Sequence, residues 1–99
     1  MSGTSVMAFA EGKPRLARGV RLRYSAAHDG WVLLAPERIF ECDTVTVEVL
    51  KRCTGEASFV QIVDDLALIY AAPREQISED VEMLLGTLCD KRLVEFSDA

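Results

Sequence analysis

Three thiols, one imidazole and two pairs of adjacent carboxylates are the side chains of this chain that could carry chemistry. The thiols of Cys42, Cys53 and Cys89 lack the C-x-x-C spacing of a zinc or redox site, and His28 is distant from them in the sequence. An odd number of cysteines provides no disulfide framework, and reduced thiols are the simplest interpretation. This set therefore predicts no metal site, no cofactor and no catalytic cysteine.

The paired carboxylates, Asp64-Asp65 and Glu79-Asp80, fall in segments with helical periodicity. Adjacent residues of a helix point about 100° apart, so neither pair is preset to share a proton. The sequence also lacks a glycine-rich phosphate loop, a G-x-S-x-G turn and an H-E-x-x-H pair. We interpret these acids as a solvated helix face and expect a protein that is not an enzyme.

The charge is unevenly distributed along the chain. The first 50 residues carry six basic and six acidic side chains, whereas the remaining 49 carry five and ten. A basic stretch without any acid could steer an acidic partner, or it could be the solvated face of a strand and its lead-in. The residues of this stretch are Lys13, Arg15, Arg18, Arg21 and Arg23.

Neither a membrane span nor an export signal is indicated. No apolar run approaches the roughly 20 residues that cross a bilayer. The first ten residues lack the basic start and sustained apolar stretch of a signal peptide. We therefore expect a cytoplasmic protein without a membrane partner, and the sequence leaves open whether it is a monomer or a homodimer.

The first half of the chain predicts three short antiparallel strands. Val20–Ser25 alternates apolar and polar residues, and Asp29-Gly30 allows a tight reversal into Trp31–Ala35. Pro36 cannot donate to a strand ladder, so it should occupy the turn before a third strand, Glu37–Cys42. No further strand is predicted after it, which places the third strand at the edge of the sheet.

Three helices are predicted in the second half. Asp43 is a good N-cap for Val45–Cys53, although alternating valines make a strand nearly as plausible there. Ser58 and Gln61 form a capping box for a helix from Phe59 to about Ala71. A third helix begins at Pro73, and its apolar stripe extends to Leu88. A short apolar tail that includes Leu93, Val94 and Phe96 could pack back on the core.

Three strands followed by three helices define an α+β, winged-helix-turn-helix-like domain. We predict one domain over residues 14–96, with a flexible N-terminal segment at 1–13 and a tail at 97–99. A winged-helix DNA-binding regulator is the alternative function. Residues 74–82 oppose it, because this part of the presumed recognition helix has one basic and four acidic residues. We therefore expect no nucleic-acid partner.

The edge strand offers a different function. Unpaired N–H and C=O groups on a sheet edge must be protected or used. The charges of Glu37, Arg38 and Glu41 suggest protection, whereas Ile39 and Phe40 could contact a ligand or simply fill the core. An extended peptide that adds itself as a further strand would gain ladder hydrogen bonds and side-chain pockets, which is β-augmentation.

Several motifs, which span about Pro14 to Val94, resemble the PqqD family of peptide chaperones in pyrroloquinoline quinone (PQQ) biosynthesis. They are "RLARGVRLR" (15–23), "WVLLAPER" (31–38), "TG" (54–55), "YAAP" (70–73) and "DVEMLLGTLCDKRLV" (80–94). The chain departs from the family pattern at Thr54, where an acidic residue is usual, and at Arg92, where glycine is usual. The second departure removes an expected C-cap glycine at the end of the third helix.

The resemblance implies a precursor-peptide recognition domain with a winged-helix-like fold. Members bind the ribosomally made peptide PqqA and present it to the radical S-adenosylmethionine enzyme PqqE. In related domains the peptide adds as a strand between the third strand and the third helix. Carried over by position, the peptide-binding residues would be Arg38, Ile39, Phe40, Glu41, Cys42, Val81, Leu84, Leu85 and Leu88, with steering by Arg15, Arg18, Arg21 and Arg23.

Overall fold

The structure, a computed structural model, describes residues 12–97. Strands come first, three helices follow, and a final strand ends the described part. In chain order the elements are β1 (Lys13–Leu16), β2 (Arg21–Ser25), β3 (Gly30–Ala35), β4 (Arg38–Glu41), α1 (Thr44–Lys51), α2 (Phe59–Tyr70), α3 (Arg74–Asp90) and β5 (Val94–Ser97).

The predicted α+β fold is confirmed, because β2, β3 and β4 form one antiparallel sheet in that order and the three helices follow it. A two-residue turn, Pro36-Glu37, joins β3 to β4 as the proline predicted. Within the described residues β4 pairs only with β3, so the third strand of this sheet is an edge strand. The strand is shorter than predicted, since Glu37 belongs to the turn and Cys42 follows the last strand residue.

Local capping explains where α1 and α2 begin. The Asp43 carboxylate accepts a hydrogen bond from the Thr46 N–H at 2.8 Å, and three apolar side chains of α1 are buried. Helix therefore prevails over strand in this valine-rich segment, because the cap and the core contacts both favour it. Ser58 and Gln61 form both bonds of the predicted capping box at the start of α2.

A second sheet was not predicted from the sequence. β1 and β5 pair antiparallel, with Pro14 opposite Phe96 and Leu16 opposite Val94. The apolar tail thus packs back as an ordered strand. Gly12 belongs to the same region, because its carbonyl accepts a hydrogen bond from the Phe59 N–H at 3.1 Å. Most of the segment predicted to be flexible, and residues 98–99 of the predicted tail, lie outside the described residues.

One hydrophobic core joins the three-stranded sheet to the helices. Leu33 on the central strand, Ile62 and Leu66 on α2, and Leu85 on α3 are among its most deeply buried members. Leu22, Leu33 and Phe40 are cross-strand neighbours on the face of the sheet that contacts this core. Because strand residues alternate between faces, Ile39 and Glu41 belong to the opposite face.

The end of α3 is a Schellman motif without the usual glycine. The Leu93 N–H donates to the Leu88 carbonyl, and the Arg92 N–H donates to the Cys89 carbonyl, both at 2.9 Å. Arg92 occupies the left-handed position of the motif with φ of 64°. An L-residue with a side chain pays roughly 1–2 kcal/mol for this conformation. The helix therefore ends with the hydrogen bonds of a glycine-terminated helix, but the backbone of Arg92 is strained where glycine would not be.

We expect Arg92→Gly to raise the free energy of unfolding by about 1 kcal/mol, because glycine adopts positive φ without the steric cost but loses more backbone entropy on folding. Urea denaturation would measure the change. Arg92→Ala is the matched control, since it removes the charge and retains the strain. A gain in Arg92→Ala equal to that in Arg92→Gly would contradict the strain explanation.

Candidate peptide-binding groove

The outward edge of β4 presents unpaired main-chain groups. The Cys42 N–H donates to the Trp31 carbonyl at 3.0 Å, which identifies these two residues as a hydrogen-bonded pair. Hydrogen-bonded and non-hydrogen-bonded pairs alternate along an antiparallel ladder, so Phe40 and Arg38 also direct their main chains toward β3. The N–H and C=O groups of Ile39 and Glu41 therefore face away from β3, and no strand of the described chain pairs with them.

Phe40 connects this edge to the end of α3. Its ring is half-buried against the core. The Arg38 guanidinium lies 5.3 Å from the ring centroid and the Lys91 ammonium lies 5.9 Å from it. Nη2 of Arg38 also donates to the Lys91 main-chain carbonyl at 3.1 Å, which satisfies one of the free carbonyls at the helix C-terminus. The start of β4 thus contacts the residue that follows α3, and the surface at this contact is the candidate groove.

The helix residues that were predicted to bind peptide differ in exposure. Val81, Leu85 and Leu88 are buried in the core, and Leu85 has no exposed surface. Leu84 is only partly buried and packs against the edge of the core. Of the four, Leu84 is therefore the side chain best able to contact a ligand directly in this structure.

The strand residues divide in the same way. Ile39 is 55% exposed, Arg38 and Glu41 are exposed, and Phe40 and Cys42 are half-buried against the core. Burial raises the pKa of the Cys42 thiol, and the neighbouring Asp43 charge adds to this effect. The thiol is therefore a poor nucleophile at neutral pH, and it packs against the core.

The other thiols have the same character. Burial is the main reason that the pKa of Cys53 is raised to about 12, and burial also raises the pKa of Cys89. All three cysteines are free. In the part of the chain that the structure describes, no group of His, Cys, Asp or Glu side chains could hold a metal ion. No described helix is long and apolar enough to cross a membrane.

The basic stretch does not converge on β4. Arg15 is paired with Glu95 at 2.8 Å, and Arg18 lies beside the end of α3, in a surface depression shared with Cys89. Arg21 and Arg23 lie on β2, at the opposite edge of the sheet, about 10 Å from β4 by strand spacing. Arg21 and Arg23 could therefore affect a ligand at β4 only through longer-range electrostatics.

Two features of this region were missed from the sequence. Lys91 was not predicted to be a site residue. Its position directly after the third helix was the signal that could have identified it. The second is a cavity of about 390 Å³ at the other end of β4, lined by Trp31, Cys42 and Lys51 among others. The Lys51 ammonium lies 5.2 Å from the Trp31 ring centroid there.

The N-terminal half of α3 is acidic on its surface. Glu75, Glu79 and Asp80 are exposed, and Arg74, the one basic residue of residues 74–82, is paired with Asp64 on α2. A surface of this charge would repel the phosphates of a DNA groove. The structure therefore offers no support for the DNA-binding alternative at this helix.

The three-stranded sheet, the helix-turn-helix pair and the open edge of β4 define a winged-helix-like α+β domain. Residues 30–94 match the family model "Coenzyme PQQ synthesis protein D (PqqD)". The chain belongs to the PqqD family, as the sequence motifs indicated.

Named relatives and solved structures agree with this assignment. The "PqqA binding protein" of Bradyrhizobium diazoefficiens is 47% identical over 79 residues, which cover 80% of this chain and 77% of the relative. That of Xanthomonas oryzae is 45% identical over 84 residues, which cover 85% and 91%.

Two experimental structures of family members are similar in fold. The first is the solution structure of the PqqD part of Methylobacterium extorquens PqqCD, described as a functional, stand-alone recognition element for ribosomally synthesized and post-translationally modified peptides (RiPPs). It has a TM-score of 0.71 and 43% identity, and the match covers 83% of this chain and 87% of that one. Crystalline PqqD from Xanthomonas campestris has a TM-score of 0.55 and 45% identity, with coverages of 79% and 87%.

Proposed function

We propose that this protein is a non-catalytic, cytoplasmic peptide chaperone of PQQ biosynthesis that binds the precursor peptide PqqA along the free edge of β4. The observation that carries the proposal is the unpaired main chain of Ile39 and Glu41 next to the end of α3. Relatives of this protein are named for binding PqqA, and a family member is described as a RiPP recognition element.

The edge provides two kinds of contact. An added strand would pair its main chain with Ile39 and Glu41, which supplies affinity that depends little on sequence. Side chains of the peptide that point toward α3 would meet Phe40 and Leu84, which are partly buried and therefore already ordered. Ordered contact residues reduce the entropy lost on binding.

Delivery to the radical S-adenosylmethionine enzyme PqqE is part of the same proposal. A domain that holds the peptide by one strand edge leaves the rest of the peptide accessible to an enzyme. Arg18, Arg21 and Arg23 would add a weak, long-range attraction for an acidic peptide, limited by the Debye length of about 8 Å at physiological salt.

An NMR titration of the isotope-labelled protein with the synthetic PqqA peptide of Bradyrhizobium diazoefficiens tests the proposal. We expect saturable shifts of the Arg38–Cys42 amides and of residues around Leu84 and Lys91. Saturable shifts confined to other surfaces would retain peptide binding and refute the β4 groove. No shifts at millimolar peptide would refute binding of this peptide by the isolated protein.

A further inference from the structure

Two cations converge on one aromatic ring at the end of the groove. Arg38 comes from the start of β4 and Lys91 follows the end of α3, yet both lie within 6 Å of the Phe40 ring centroid. Arg38 also donates to the Lys91 carbonyl, which holds the guanidinium beside the end of α3. Two like charges from separate elements thus lie beside one aromatic ring.

The charges of this pair are not neutralised within the described chain. Arg15, Arg52 and Arg74 each form an ion pair with a carboxylate. Among the described residues no ion pair includes Arg38 or Lys91, although Glu37 and Asp90 are their neighbours in sequence. Both cations are thus available to an anion supplied from outside the domain.

The pair also lies where a bound peptide would pass. Arg38 immediately precedes Ile39, whose main chain faces the open edge. The ring of Phe40 provides an apolar floor beneath the two cations, and its position against the core excludes water from one side. A guanidinium binds a carboxylate through paired N–H donors, and an ammonium adds a point charge.

We infer that Arg38 and Lys91, held over Phe40, form a carboxylate-binding subsite at the Arg38 end of the peptide groove. The inference rests on the proposed function and makes it more specific. The substrate class is a peptide whose bound segment carries an Asp or Glu side chain, or its own C-terminal carboxylate, at the position next to Arg38.

The test combines peptide and protein substitutions. The probe is the PqqA peptide of Bradyrhizobium diazoefficiens, with each Asp and Glu replaced singly by Asn or Gln and, separately, with an amidated C-terminus. Dissociation constants are measured by calorimetry for the wild-type protein and for Arg38→Gln/Lys91→Gln. We expect one peptide substitution to weaken binding to the wild type about tenfold, and the same substitution to change binding to the double variant by less than about twofold.

Two further variants separate this subsite from general charge effects. Arg74→Gln removes one positive charge at the first residue of α3, about 24 Å along the helix from Asp90, and we expect an effect of no more than about twofold. Arg38→Lys/Lys91→Arg retains both charges, and we expect it to recover part of the lost affinity. Circular dichroism and the amide spectrum of each variant must match those of the wild type.

The possible outcomes distinguish the subsite from the function. If PqqA binds but no single carboxylate matters, or if Arg74→Gln weakens binding as much as the double variant, the subsite is refuted and the proposed function stands. If the wild-type protein does not bind the peptide at all, the proposed function is refuted and the subsite with it. If C-terminal amidation is the only peptide change that weakens binding to the wild type, the terminal carboxylate is the group that the subsite binds.

Discussion

Replacing Ile39 by proline is expected to weaken PqqA binding by roughly 30-fold or more, about 2 kcal/mol, without unfolding the protein. Proline removes the N–H that would pair with an added strand, and its ring obstructs the approach of that strand. The N–H of Ile39 faces away from β3, so the β3–β4 ladder loses no hydrogen bond. Proline is tolerated at such positions of edge strands.

Ile39→Ala is the matched control for the proline variant. It removes the exposed apolar side chain and retains the N–H, so it separates side-chain contact from main-chain pairing. Glu41→Pro repeats the test at the other outward-facing residue. Calorimetry and amide spectra would show affinity and fold together. Wild-type affinity in folded Ile39→Pro and Glu41→Pro variants would refute β-augmentation at β4.

Replacing Leu85 by alanine is expected to lower the free energy of unfolding by about 3 kcal/mol. Leu85 has no exposed surface and belongs to the core between α3 and the sheet, so its truncation leaves a cavity. Domains of this size are stabilised by only about 5–15 kcal/mol in total. A urea titration would show the loss as a shift of the midpoint at nearly constant slope.

Met83→Ala, on the same helix, is the control for Leu85→Ala. Met83 is 73% exposed, and we expect a change of no more than about 0.5 kcal/mol. If Leu85→Ala instead leaves stability unchanged and weakens binding, Leu85 faces the groove in solution.

Leu84→Ala should lower the free energy of peptide binding by more than it lowers the free energy of unfolding, because Leu84 lies at the margin of the core.

The features best predicted from the sequence are those with a local cause. The capping box at Ser58, the left-handed Asp29 of the β2–β3 turn and the Pro36 turn each depend on a few adjacent residues. The edge position of β4 followed from the absence of a predicted strand after it. Periodicity identified the apolar stripe of α3, but it could not show that three of its four selected residues are buried.

The features missed from the sequence depend on contacts between distant segments. β1 and β5 are each four residues long, and their partners Arg15 and Glu95 are 80 residues apart. No local pattern reports such a pairing. Lys91 was missed for the same reason, because its contact with Phe40 exists only when the end of α3 lies beside β4.

The pairing of β1 with β5 places the two ends of the described chain side by side. Lys13 lies opposite Ser97, and paired residues of antiparallel strands have Cα atoms about 4.5–5.5 Å apart. A short loop could therefore join these ends. New termini could then be placed in another surface loop, which would give a circular permutant. Likewise, an enzyme tethered to either end is attached at one place on the surface. A linker of given length from Lys13 or from Ser97 would then offer a peptide bound at β4, as proposed above, at a similar effective concentration.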